Sequence, residues 1–338
     1  MGNRGSWPAV LVVAGLALLL VGSAAPVSSE DLPPLYLTIV VHTEEDLSRG
    51  VLPKANIPDY DGDEALMHHF AGVMSALAEL ASEHGAKINF GSDWTFSRGV
   101  ALHEPAFYMD LQAMGHEIDA HAHESFVAYH DVRQEIVVAG GSPSHVASGM
   151  NEEEIQSELL YFDATYPEFR ILWGVALPGH GPGECVAPWV WRPSRDDWTR
   201  HDPDGRYIYI GHGELINSIQ AIRQALEHRS ADKVNCIALF TTPREFKALE
   251  GTPAIEEAWT VPEGSADYWM NRLAWWEALL DQMVPLVEAG VVEYATLSEI
   301  ASIFEDQEED LVFDWTDVPR SDLSMRARNT KAGYPLDD

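Results

Sequence analysis

Three histidines and three carboxylates fall within the twelve residues GHEIDAHAHESF, at positions 115 to 126. His121 and His123 stand two residues apart, and on a strand such residues point to the same side. Imidazole nitrogens are common ligands of zinc and of other first-row divalent ions. The spacing therefore predicts a metal site here. His116 lies five residues before His121, so it is predicted to point away and to be structural.

A second group of reactive side chains follows the apolar segment LYLTIVVH at 35 to 42. Glu44, Glu45 and Asp46 there offer a hard oxygen ligand and a separate general base. A carboxylate cluster or a histidine pair, taken alone, is typical of a solvated strand end. In parallel α/β proteins, however, chemistry collects at the carboxyl ends of the strands. The two groups at matching strand ends therefore favour one shared site.

The segments that must position these groups alternate between apolar runs and helical periods. Strands are predicted at 35–42, 87–92, 116–123, 169–177, 207–213, 235–242 and 291–297. Helices are predicted at 64–83, 104–114, 153–164, 218–227 and 266–289. This alternation predicts one α/β domain with a parallel sheet, either open or closed into a barrel. The Pro/Gly-rich stretch 177–193 is predicted to be a loop that walls the site.

The N-terminus has the features of a secretory signal peptide. Arg4 precedes an apolar run from Ala9 to Val21, and the small residues GSAA follow. We therefore expect residues 1–25 to be cleaved and the mature protein to be secreted or periplasmic. No later segment approaches the roughly 20 apolar residues that a membrane helix needs, so no integral membrane segment is expected in the mature chain.

The charge of the chain excludes one class of partner. Its 54 acidic and 21 basic residues give a formal net charge of −33. Nucleic-acid affinity depends on lysine and arginine, so a nucleic-acid partner is not expected. The two cysteines, Cys185 and Cys236, form either a disulfide or two buried thiols.

Several motifs resemble the polysaccharide deacetylases with the NodB-homology domain, also called family 4 carbohydrate esterases. YLTIVVHTEED is similar to the first motif of the family, an apolar strand that runs into paired acids. MDLQAMGHEIDAH resembles its helix followed by Gly-His-Glu-Ile and a metal-binding histidine, and VWRPSRDDW resembles its third motif. KINFGSDW and VVEYATLSEIASIF look like its second strand and its closing strand and helix.

The resemblance implies an irregular, seven-stranded (β/α) barrel over residues 31–304, followed by an acidic C-terminal tail at 305–338. It implies that His121 binds the metal. The usual second histidine position holds Ser125, so His123 is expected to take that role. Glu44 is the implied metal carboxylate.

The resemblance also implies catalytic roles. His42 or the carboxylate Glu45 takes the proton of water, and Arg192 either orients this base or belongs to a buried structural ion pair. A divalent metal, zinc above all, activates the water. Aromatic residues near Arg192 are expected either to stack against a sugar or to belong to the core; they include Trp191 and Trp198.

One position departs from the family pattern. Its late strand usually ends in an acid histidine, and this chain has Thr241 and Thr242 there. His180 and His212 are alternatives for that role, and His212 is also a candidate for substrate binding. The implied function is an exported, metal-dependent hydrolase that removes N- or O-linked acetyl groups from a carbohydrate. Two alternatives stay open: a catalytically silent glycan-binding relative, and a metal-dependent hydrolase of a non-sugar amide.

Overall fold

The structure is a computed structural model. The residues that it describes are 32–43, 60–122, 127–149, 168–174, 189–195, 200–211, 213–214, 219–242 and 272–311. Its strands are β1 (Leu35–His42), β2 (Ile88–Ser92), β3 (Glu117–His121), β4 (Val146–Ser148), β5 (Ile171–Trp173), β6 (Val190–Trp191), β7 (Ile208–Ile210), β8 (Gly213–Glu214), β9 (Asn235–Thr241) and β10 (Val292–Tyr294). Its helices are α1 (Glu64–Glu83), α2 (Trp94–His103), α3 (Phe107–Ala113), α4 (Tyr129–Val138), α5 (Ile219–Glu227), α6 (Arg272–Glu288) and α7 (Leu297–Gln307). A 3₁₀ turn at Glu308–Asp310 follows α7.

The ten strands form one sheet that is nearly closed into a barrel. Its order is β6-β7-β5-β4-β3-β2-β1-β9-β8, and β10 pairs with β1. Every pairing between these strands is parallel except that of β6 with β7. β7 pairs with β5 and β8 pairs with β9, so the short segment 208–214 joins the two ends of the sheet. This mostly parallel, nearly closed sheet confirms the predicted (β/α) barrel. All seven predicted strands are present, as β1, β2, β3, β5, β7, β9 and β10, and three short strands, β4, β6 and β8, join them.

Alternation along the strands produces two cores. On β1, the side chains of Leu35, Leu37, Ile39 and Val41 belong to the outer core, between the sheet and the helices. Val40 points the other way and joins the inner core inside the barrel. Residues Leu297, Ile300, Ala301 and Phe304 of α7 also belong to this inner core. This helix therefore packs against the inner face of the sheet.

Local sequence explains how helices α1 and α7 begin and which face of α1 is buried. In α1, Asp63 caps the first turn by accepting a hydrogen bond from the backbone N–H of Leu66. Its buried residues recur every three or four positions, as an amphipathic helix requires; they are Met67, Phe70, Ala71, Met74, Leu77, Ala78 and Ala81. In α7, Thr296 and Glu299 form a reciprocal capping box.

The structure also differs from the predicted elements. The helix predicted at 104–114 corresponds to α3 alone, which begins after a turn that contains Pro105. The sequence analysis missed α2, α4, β4 and β6. The helix predicted at 153–164 lies outside the described residues. None of the described helices is long and apolar enough to cross a membrane.

Candidate functional site

The site is a pair of stacked imidazoles at the carboxyl edge of the barrel. The ring centroids of His42, at the end of β1, and His121, at the end of β3, are 3.7 Å apart, and the rings are inclined by 18°. Both side chains are buried, with exposed fractions of 1% and 0%. Sequence analysis had assigned them different roles, as a base and as a metal ligand, but did not predict that they touch.

Glycine on the intervening strand makes this contact possible. β2 lies between β1 and β3, and Gly91 is the register partner of His42. A Cβ atom at position 91 would lie 2.6 Å from Cδ2 of His42 and 3.1 Å from Oγ of Ser148. Because glycine has no side chain, the His42 ring occupies the space above β2 and reaches His121.

Gly149 opens space on another side of the pair. Its φ is +86°, a conformation that L side chains rarely adopt. A Cβ atom there would lie 2.5 Å from Cε1 of His42 and 2.6 Å from Nδ1 of His121. Both the backbone conformation and the space therefore require glycine at this position.

Ser148, at the end of β4, holds both histidines. Its hydroxyl oxygen lies 2.9 Å from Nε2 of His42. Its carbonyl oxygen lies 2.7 Å from Nδ1 of His121 and also accepts a 3.1 Å hydrogen bond from the hydroxyl of Tyr129. A carbonyl oxygen only accepts, so Nδ1 of His121 carries the proton. In the neutral ring the lone pair is then on Nε2, the nitrogen that would bind a metal.

Two aromatic rings among the described residues also pack against His42. Phe240, near the end of β9, lies with its centroid 4.8 Å from the His42 ring at 74°. Trp173, at the end of β5, lies 5.5 Å away at 84°. Three strands other than those of the histidines thus contribute Ser148, Trp173 and Phe240 to the site. These surroundings are apolar and exclude water, so a charge there interacts more strongly than it would in solvent.

A buried polar network lies beneath the histidines. Asp119, two residues before His121 on the same face of β3, accepts hydrogen bonds from Asn89 (2.9 Å) and Ser144 (2.6 Å). Burial, and then the charge of Glu117, raise the pKa of Asp119 well above its ordinary value of 3.8. The hydrogen bond from Asn89 to Asp119 joins β2 to β3.

The structure does not bring Arg192 to the histidine pair. Its guanidinium donates hydrogen bonds of 2.7 and 2.9 Å to the carboxylate of Glu308 and one of 3.2 Å to the carbonyl of Gly205. Arg192 therefore ties the chain after β6 to the turn after α7. Glu308, which the sequence analysis had placed in the C-terminal tail, belongs to this ion pair at the barrel.

Trp191 does not form a sugar-stacking surface in this structure. Its ring is fully buried in the outer core and lies 4.6 Å from the ring of Tyr209. It therefore belongs to the core, which was the other role open for it. Other predicted site residues lie outside the described residues; they are Glu44, Glu45, Asp46, His123, His180, Trp198 and His212.

His116 has the structural role that the sequence predicts. The backbone N–H of Ile88 donates to its Nδ1 at 3.2 Å, and its Nε2 lies 3.0 Å from the carbonyl oxygen of Ala78. The imidazole thus joins β2 to α1. Burial lowers its pKa below 6.5. Cys236 is buried in β9 while Cys185 lies outside the described residues, so their pairing stays a prediction.

Sequence analysis missed Ser148, Trp173, Phe240, Gly91 and Gly149 as members of the site. The one available signal was the Ser-Gly pair that ends VASG, because Gly149 marks a special backbone conformation after a short apolar segment. Nothing local to Trp173 or Phe240 distinguishes them from other core aromatics. They belong to the site only because their strands end next to those of the histidines.

The donor set partly fits a divalent metal. No group of three or more metal-binding side chains occurs among the described residues. At His121, Nδ1–H donates a hydrogen bond to a backbone carbonyl, and the lone pair is on Nε2. This arrangement is typical of metal-binding histidines. The remaining predicted ligands, Glu44 and His123, lie two residues beyond the ends of β1 and β3 in the sequence. The position of His121 is therefore compatible with the predicted site.

Of three comparisons with known proteins, the comparison with solved structures finds similar ones. No family model matches it, and no curated protein does. Among solved structures, it is similar to a protein assigned to the polysaccharide deacetylases from Mycobacterium smegmatis, with 13% identity and a TM-score of 0.46 over 86% of this chain and 96% of that one. It is also similar to the allantoinase Puue, with 12% identity and a TM-score of 0.47 over 88% of this chain and 98% of that one.

A third similar structure is the 4-alpha-glucanotransferase from Thermococcus litoralis, with 12% identity and a TM-score of 0.46 over 80% of this chain. This chain spans 38% of the length of that enzyme. The family that the sequence motifs resemble is thus among the structures similar to this barrel. At these identities the similarity concerns the arrangement of strands and helices and does not assign an activity.

Proposed function

We propose that this protein is an exported, metal-dependent hydrolase that removes N- or O-linked acetyl groups from a carbohydrate. The observation that carries the proposal is the pair His42 and His121 at the carboxyl edge of the barrel, held by one residue, Ser148. This is the edge at which (β/α) barrels place catalytic groups. The acetyl-carbohydrate substrate comes from the resemblance of the sequence motifs to polysaccharide deacetylases.

The metal would be held by His121 through Nε2, together with His123 and Glu44. Such an ion, zinc above all, supplies polarisation of the acyl oxygen and lowers the pKa of water toward about 7. Ser148 keeps the His121 ring in the orientation and tautomer that this role requires.

His42 is the proposed proton carrier. Its Nε2 is within hydrogen-bond distance of the Ser148 hydroxyl, which can donate or accept. The rings of Trp173 and Phe240 pack against His42. These apolar surroundings disfavour the charged form of the imidazole. In the proposed reaction His42 takes one proton from water and passes it to the leaving amine or alcohol.

The central experiment measures acetate release. The mature protein is loaded with zinc and incubated with acetylated xylan and with chitin oligosaccharides, and separately with allantoin, a non-sugar amide whose hydrolysis is followed by the formation of allantoate. We expect acetate from at least one carbohydrate, loss of activity with a chelator, and recovery when zinc is added back. His121→Ala should be inactive, whereas the control His116→Ala should retain activity. Acetate release that is equal in wild type and His121→Ala would refute the proposal.

Export is the second part of the proposal. We expect the mature chain to begin near Ala25 and to be found outside the cytoplasm, because residues 4 to 25 have the order of a signal peptide. N-terminal sequencing of the protein from cell fractions measures this. If the protein were found in the cytoplasm with residues 1–20 intact, this result would contradict export.

One observation favours the alternative of a glycan-binding relative without activity. The inward-facing residue at the carboxyl end of β9 is Phe240, and its ring has no proton to give. Thr241 follows on the opposite face of the strand. If zinc binds but no substrate in the panel is hydrolysed, while an oligosaccharide binds to the wild type and not to His121→Ala, this alternative is the better one.

A further inference from the structure

One buried hydrogen-bond donor in the site has no partner among the residues that the structure describes. The indole N–H of Trp173 is buried, and no described residue accepts a hydrogen bond from it. A buried donor without an acceptor is unfavourable, and most buried polar groups in native proteins form hydrogen bonds. Phenylalanine would fill most of this space without carrying such a donor. The tryptophan therefore keeps a polar group whose partner the described fold does not supply.

The location of this donor connects it to the histidine pair. Trp173 ends β5, and its register partner on β4 is Ser148, the residue that holds both histidines. Its ring lies edge to face with His42 and 6.0 Å from Phe240. The donor thus belongs to the same layer of inward-facing side chains as the proposed chemistry.

The chemistry of indole restricts what the partner can be. The indole N–H only donates and carries no charge, so its partner must be an acceptor. A neutral oxygen is compatible with the rings of Trp173 and Phe240, which carry no charge themselves. In an acetylated carbohydrate, the carbonyl oxygen of the acetyl group is such an acceptor.

We propose that the indole N–H of Trp173 donates a hydrogen bond to the carbonyl oxygen of the substrate acetyl group and thereby selects acetylated substrates. This inference rests on the proposed function. Trp173 then recognises the acyl group, while His42 carries the proton. The interaction costs no ordering of the side chain, because the ring is already held by His42 and Phe240.

The chain offers a matched control in Trp189. Its indole N–H is also buried, and no described residue accepts from it. Trp189, however, bridges to Asn235, the first residue of β9, whereas the site lies at the carboxyl end of that strand. Replacing either tryptophan by phenylalanine removes the same kind of unpaired donor, so a general effect on folding should be shared by both variants.

The first measurement is kinetic. With the acetylated substrate identified by acetate release, Trp173→Phe should lower kcat/KM by about three- to tenfold, the effect of one lost neutral hydrogen bond. Trp189→Phe should match the wild type. Both variants should unfold at or above the wild-type temperature. A Trp173→Phe variant that is folded and has wild-type kcat/KM would overturn the inference while leaving the proposed function intact.

The second measurement does not depend on turnover. In protein labelled with ¹⁵N at tryptophan, the Trp173 indole resonance is identified by its loss in Trp173→Phe. Titration with acetamide, the simplest neutral amide that carries an acetyl group, should shift this resonance saturably and leave that of Trp189 unchanged. A shift without hydrolysis of any substrate would support acyl recognition and count against the hydrolase. No shift at saturating acetamide would overturn the inference.

Discussion

Replacing Gly91 by alanine should disrupt the histidine pair. The new Cβ would lie 2.6 Å from Cδ2 of His42, whereas carbon atoms are at optimal separation at about 3.5–4.0 Å, so the ring must move by about 1 Å. The ring has little room for this movement, because His121 is stacked on it at 3.7 Å and Phe240 lies at 4.8 Å. The substitution should therefore also break the bond between His42 and Ser148.

The expected cost follows from overpacking a buried site. Extra methylene groups in a well-packed core cost about 1–3 kcal/mol, and we expect Gly91→Ala to lie in this range. Urea unfolding followed by circular dichroism measures the stability, and histidine ¹⁵N spectra report the loss of the His42 interaction. Zinc affinity should fall as well, because His121 loses its stacking partner.

Gly72→Ala is the control for an added methyl group. Gly72 is exposed in the middle of α1, and a Cβ there would meet nothing within 4 Å. Alanine should stabilise the helix by roughly 0.5–1 kcal/mol and leave the histidine spectra unchanged. If Gly91→Ala instead kept wild-type stability, histidine spectra and zinc affinity, glycine would not be what allows His42 and His121 to meet.

Three further predictions concern metal binding, pH and the ion pair. His121→Ala should lose bound zinc in elemental analysis with a native circular dichroism spectrum, and His123→Ala should weaken binding about equally; unchanged zinc in either would remove that residue from the site. His116→Ala should cost roughly 1–3 kcal/mol, because the backbone groups that it bonds lose their partner. Since burial lowers the folded-state pKa of His116, the unfolded chain takes up its proton first as the pH falls below 6.5. Wild-type stability should decrease there, and the decrease should be smaller in His116→Ala; equal slopes in urea unfolding between pH 7 and 5 would contradict this. Arg192→Lys should lose about 1.5–3 kcal/mol, because lysine cannot reproduce the forked contact with Glu308, and should keep wild-type kcat; a drop in kcat at unchanged stability would restore the predicted role of Arg192 in orienting the base.

Much of the fold follows from local sequence. The bounds of α1 agree with its apolar period, and β1 and β9 follow continuous apolar runs that are typical of strands buried on both faces. Shorter elements gave no comparable signal. β4 has only three residues, VAS, which are too few to show a period, and the ten-residue helix α2 was not recognised.

The sequence by itself determined that His42 ends a buried strand and that His121 lies in another, because both strand segments can be recognised from local sequence. It also determined that His116 faces away from the site. Only the tertiary structure decided that the two imidazoles stack, since the contact depends on the register of β1 with β2 and on the missing side chain of Gly91 between them. In the same way, Ser148, Trp173 and Phe240 join the site through strand order and register, and these depend on pairings between residues far apart in the chain, which no local pattern encodes.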